Sequence, residues 1–168
     1  MKNTIKDVFC VSAIVDFITC LPKEHYQSSR ITSSQQSRVT TATHYSRQIL
    51  TQRVKNALKQ MSTKYFQMYR LKLTEAKVYE YFNETVLSLE LRLLRNEFST
   101  VRFLKYCCQV GALASHASEL GFKPASRLAE FYILRTVKKF RSKSQFSNDN
   151  WKYMDNVIGE CFRNKIVK

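Results

Sequence analysis

Helix-breaking residues are scarce in this chain: three Gly and two Pro in 168 positions. An all-β fold needs a turn roughly every 8–12 residues, and the residues that make turns are too few here. Long unbroken runs with apolar residues every three or four positions predict helices. Apolar residues make up 44% of the chain, enough for a core without disulfides or metals. The length fits one domain. The expected fold is therefore all-α, a single-domain bundle of about six helices.

Residues 1–22 read as an N-terminal apolar helix. Ile5, Val8, Phe9, Ser12 and Val15 form one stripe, and Ile14, Phe17, Ile18 and Leu21 widen it. Asn3 or Thr4 suits the cap, and Pro22 is expected to stop the helix. Residues 23–44 read as a polar basic linker, because ten of the nineteen residues in 28–46 are Ser or Thr. The bundle then occupies 45–168. Its second helix is expected over 45–71, through Leu50, Val54, Ala57, Met61, Tyr65 and Met68. The third spans 74–98, with Glu80, Glu84, Glu90, Arg92 and Arg95 facing out. The fourth ends at Leu120 and Gly121, and its second half is rich in Gly, Ala and Ser, which permits close helix approach. The fifth follows Pro124 to about Arg141 and turns Leu128, Phe131, Tyr132, Leu134 and Val137 inward. The sixth starts at Asn148 or Asp149.

Charge narrows the function. Lys and Arg number 28 against 13 Asp and Glu, a net charge of +15. Residues 25–74 hold nine basic residues and no acidic one; residues 121–146 hold seven, opposed by Glu130 alone. These stretches contribute +9 and +6, the whole net charge. Such self-repulsion destabilises a compact chain unless a polyanion or counterions neutralise it. Nucleic acid is the expected partner, DNA ahead of RNA.

The sharpest local pattern lies at 113–133. Ala117 permits a close crossing, Gly121 makes a turn, and Leu120, Phe122 and Leu128 lock two helices together. The A-x-x-x-G-F element at 117–122, with an apolar residue seven after the Gly, resembles the helix-turn-helix units of AraC-type regulators. The resemblance covers about twenty residues and implies DNA binding through the segment 113–141. The chain departs from that pattern at His116, where an aliphatic residue is usual, and shows no second unit, so no family is assigned. On this reading Lys123, Ser126 and Arg127 face base edges, and Arg135, Lys138, Lys139, Arg141 and Lys143 contact phosphates. The bland alternative is an ordinary helical hairpin with a Gly cap. Arg47, Arg53, Lys55, Lys59 and Lys64 on and before the second helix are further backbone contacts. Tyr65, Phe66 and Tyr69 between them can stack bases, but helical spacing favours the core for Tyr65 and Phe66.

Catalysis has little support. The chain has no Walker loop, no dinucleotide Gly fingerprint and no H-E-x-x-H. No cofactor or metal is expected, since adjacent Cys107 and Cys108 point about 100° apart on a helix. Five Cys without CxxC fit free thiols. No stretch reaches a membrane span, and no cleavage pattern follows the short apolar run at 8–15, so a cytoplasmic location is expected. A DNA-binding regulator of a phage, plasmid or mobile element leads the functional readings. An RNA-binding accessory subunit of a ribonucleoprotein is one rival. A self-associating helical assembly protein with an acidic protein partner is the other.

Overall fold

The computed structural model describes residues 4–27 and 50–163, which form six α-helices and one turn of 3-10 helix; no strand occurs among them. The all-α single-domain bundle expected from the periodicity is what forms. The helices are α1 (Ile5–Gln27), α2 (Gln52–Lys72), α3 (Val78–Leu94), α4 (Thr100–Glu119), α5 (Ala125–Ser142) and α6 (Asn148–Arg163), with the 3-10 turn at Glu75–Lys77 before α3.

Local chemistry sets the ends. A reciprocal box starts α1: Asp7 N–H donates to Thr4 Oγ1 at 3.2 Å, and Thr4 N–H donates to Asp7 Oδ2 at 3.0 Å. Pro22 does not stop this helix, contrary to expectation. The helix runs on to Gln27, although an interior proline removes a backbone donor and crowds the preceding turn. Residues 23–27 of the expected linker are thus helical, and the rest of it, with Arg47, lies outside the described residues. Thr51 caps α2, its Oγ1 accepting from Val54 N–H at 3.3 Å.

Helix α4 is the hub and packs against all five other helices. Its length reads as core: Phe103, Leu104, Tyr106, Cys107, Cys108, Val110, Leu113 and Ala117 are buried. At Gly111 a side chain would meet Ile18 Cγ2 at 2.7 Å, so α1 crosses α4 at the small-residue stretch. Phe98, Phe103, Phe140, Phe146 and Trp151 close one end of the core with edge-on and tilted rings. Phe131, expected inside, is 56% exposed. Cys10, Cys107 and Cys108 are buried free thiols; burial pushes Cys10 up to about 11 and Cys108 to about 12, which keeps both protonated. No helix among the described residues is long and apolar enough to cross a membrane.

Candidate nucleic-acid interface

The hairpin at 113–133 exists, and its turn is built as the residue types demand. Gly121 has φ +93°, open to Gly at no steric cost. Phe122 N–H donates to the Ala117 carbonyl at 2.9 Å and Gly121 N–H to the Ser118 carbonyl at 3.1 Å, the pair of bonds that closes a left-handed helix end. The Phe122 ring then meets Tyr79 and Phe82 edge-on at 5.5 and 5.7 Å, sealing the turn against α3. His116, off the AraC-type pattern, sits half-buried with Nδ1 3.1 Å from Glu119 Oε2. Of the three expected base readers, Lys123 and Arg127 are exposed and Ser126 is half-buried.

The expected phosphate contacts of α5 have a different fate. Arg135 forks onto Glu90 of α3, with Nε 3.1 Å from Oε1 and Nη2 against Oε2. Lys139 Nζ reaches the same carboxylate at 3.1 Å, and the Thr136 hydroxyl lies 3.1 Å from it. Glu90, expected in solvent, is buried. Burial pushes its carboxyl up, but bonds from Arg135 and Lys139 outweigh that and hold it below the usual range. Arg141 forks onto Asp7 of α1 at 2.9 and 2.7 Å and touches Asn148 Oδ1 at 2.6 Å. Asp7 is also buried and accepts from Trp151 Nε1 at 2.8 Å. Lys143 Nζ donates to the Leu94 carbonyl at 3.5 Å. Arg135, Lys139 and Arg141, expected at phosphates, are thus engaged by carboxylates of other helices: Glu90 is shared by the first two, and Asp7 holds the third. Lys138 alone of the five is exposed without a contact among the described residues.

Helix α2 is built differently. It carries six cations and no carboxylate. Val54, Ala57, Leu58, Met61, Tyr65 and Tyr69 face the core. Tyr65 is thus core, as its spacing indicated; Phe66, expected there with it, is half-buried, and Tyr69 is buried as well. Lys55 is buried at 9% exposure, which removes it from the expected backbone contacts; it lies on the edge of the buried arc. Arg53, Lys59, Lys64, Arg70 and Lys72 are exposed. No described carboxylate pairs with Lys59, Lys64 or Lys72. Lys64 lies over the Tyr65 ring at 5.1 Å.

The two basic regions have different neighbours. Helix α2 packs on α4, α6 and α1, whereas α5 packs on α4, α1 and α3. Sequence reasoning missed Asp7 and Glu90 as neutralising groups. Their signal was faint: an acid at the start of a strongly apolar helix, and another in register with Phe82, Val86 and Leu93 on the buried side of α3. No protein-family model, curated protein or solved structure matches this chain. The likeness of the hairpin to AraC-type units rests on its own residues alone.

Proposed function

We propose that this chain is a nucleic-acid-binding protein, DNA ahead of RNA, and that helix α2 is its principal contact surface. One observation carries the reading: a helix of 21 residues exposes five cations and contains no acid. A solvated helix face ordinarily mixes both signs of charge. Lys123, Arg127 and Lys138 on the hairpin are secondary contacts, and Arg135, Lys139 and Arg141 are struts. The chain acts by binding, with no part for catalysis, cofactor or metal.

The test is affinity for duplex DNA as a function of salt. Each phosphate neutralised contributes a log–log slope of about −0.9, so affinity is expected to fall steeply with salt. Lys59→Glu with Lys64→Glu is expected to reduce the steepness by about two and to weaken binding to every duplex alike. Affinity that does not change with salt ends the proposal. Competition with structured RNA separates the RNA-binding alternative.

A second reading, self-association, draws on the outer face of α1. Ile5, Val8 and Phe9 stand one turn apart at 76, 45 and 51% exposure. Light scattering on nucleic-acid-free protein checks it, and an oligomer dispersed by Phe9→Glu is the outcome expected if that face joins copies.

A further inference from the structure

We infer that α2 is a reading helix that lies in the major groove of duplex DNA, with Asn56, Gln60, Thr63 and Gln67 turned to the base edges. The inference rests on the nucleic-acid reading above and adds which element reads sequence.

With ~100° per residue, Asn56, Gln60, Thr63 and Gln67 fall within an arc of about 60°. Their spacing of four, three and four residues makes one straight row. All four are exposed. Lys59 and Arg70 lie about 50–70° to one side of that row, and Arg53 and Lys64 about the same distance to the other. Tyr65, Tyr69, Leu58 and Met61 occupy the opposite, buried side. The exposed face is therefore a central strip of uncharged side chains between two rows of cations.

Each part of that layout matches a duplex. Helix and side chains together measure about 10–12 Å across, which fits a major groove about 12 Å wide. Side chains on the centre line meet base edges, and those on the shoulders reach the phosphates of the two walls. Asn and Gln carboxamides pair a donor with an acceptor, the combination that adenine presents in the major groove. Gln52 Nε2 donates to Asn56 Oδ1 at 3.0 Å, orienting the first carboxamide of the row. Thr63 Oγ1 donates to the Lys59 carbonyl at 2.9 Å, which turns its methyl and lone pairs outward from the ladder.

Other nucleic acids fit less well. The major groove of an A-form RNA helix is too deep and narrow for side chains to read. A single strand needs exposed rings to stack on, whereas Tyr65 and Tyr69 are buried and Phe66 is half-buried. The hairpin remains the rival reader, with Lys123 and Arg127 in solvent.

The experiment uses the full-length chain. Duplexes selected from a random pool are compared with scrambled ones for four proteins: unaltered; Asn56→Ala with Gln60→Ala and Gln67→Ala; Lys59→Glu with Lys64→Glu; and Lys123→Glu with Arg127→Glu. Alanine favours an exposed helix position, and circular dichroism verifies that each variant is folded. The expected result is that the alanine variant loses at least ~10-fold in discrimination while keeping its salt slope, since a good bidentate base contact is worth about that factor or more. The Lys59/Lys64 variant loses affinity for all duplexes. Discrimination that survives the alanine changes but disappears with Lys123 and Arg127 makes α5 the reader and overturns the inference. Salt-dependent binding with no enriched sequence overturns it too, yet leaves the binding proposal intact. No duplex binding at any salt ends both.

Discussion

Asp7 has a guanidinium fork from Arg141 and an indole N–H from Trp151, and no surface in water. Glu90 is held in the same manner by Arg135, Lys139 and Thr136. Breaking a fully buried pair by removing one partner costs ~3–5 kcal/mol. Arg135 keeps 31% of its side chain exposed, and Lys139 and Thr136 would still serve the carboxylate. Arg135→Ala is therefore expected to lower stability by about 2 kcal/mol in urea unfolding, less than a fully buried pair. Asp16 and Glu130 show the reverse. Burial pushes both up, and for Glu130 the Asp16 charge adds to it, against a bond from Ser12 and the charge of Arg127. The signs then follow by linkage. Burial pushes Asp7 up as it does Glu90, but the bonds from Arg141 and Trp151 outweigh it and hold Asp7 low too; both carboxyls therefore stabilise the fold above the ordinary carboxylate pKa of about 4 and lose that contribution as pH falls through their folded values. The raised pair stabilises it below about pH 4 and loses its contribution as pH climbs through the folded values. Asp16→Asn with Glu130→Gln should flatten the decline on the alkaline side of that range and add up to ~1 kcal/mol at pH 7, the scale of a partly solvated charge pair. Unfolding free energies measured from pH 4 to 8 check this. An unchanged slope would show that the two carboxyls are not desolvated together.

At the scale of elements, boundaries were legible where a residue type dictates backbone chemistry. Gly121 and Pro124 mark the end of α4 and the start of α5 because a left-handed φ and a missing N–H act within a few positions. At α6 the expected caps, Asn148 and Asp149, lie inside the helix, and Ser147 caps it, its Oγ accepting from Asp149 N–H at 3.3 Å. Apolar spacing likewise indicated Tyr65 as core. Legibility failed where the deciding partner is remote in sequence. Glu90 lies 45 residues from Arg135, and Asp7 lies 134 from Arg141, so charge counted along the chain overstated the free charge of α5. The central row of α2 went unread for another reason: uncharged Asn, Gln and Thr leave no mark in a charge tally. The crossing of α1 and α4 was legible only as a stretch of small residues. Gly111 now shows its role, since a Cβ there would stand 2.7 Å from Ile18 Cγ2. Gly111→Ala gains up to ~1 kcal/mol in helix propensity but overpacks the crossing, which typically costs ~1–3 kcal/mol. A net loss of about 1 kcal/mol is expected. Ile18→Ala should relieve the clash, so the double variant is more stable than the two single losses predict. Strict additivity would place the strain elsewhere.

For the whole molecule, the decisive quantity is +15 on one domain. Two of its thirteen acids, Asp7 and Glu90, are buried beneath cations of α5, and α2 contains no acid of its own. Self-repulsion between solvent-facing cations is screened by salt, with a Debye length of ~10 Å at 0.1 M, whereas the two buried pairs are screened much less. Thermal stability is therefore expected to rise with salt between about 0.05 and 0.5 M. At the low end, duplex DNA at ~100 times its Kd should add about 2.7 kcal/mol, or roughly 5–10 °C in Tm for a chain of this size. Binding weakens with salt, so that gain should vanish at the high end. The two effects oppose each other, and the variant carrying Lys59→Glu and Lys64→Glu separates them. With less repulsion it should melt higher than the unaltered protein at low salt without DNA, and gain less when DNA is added. Differential scanning fluorimetry across the salt series measures both. A Tm that falls as salt is added would mean that exposed ion pairs, and not repulsion, dominate the surface, and the charge on α2 would then have no need of a phosphate partner.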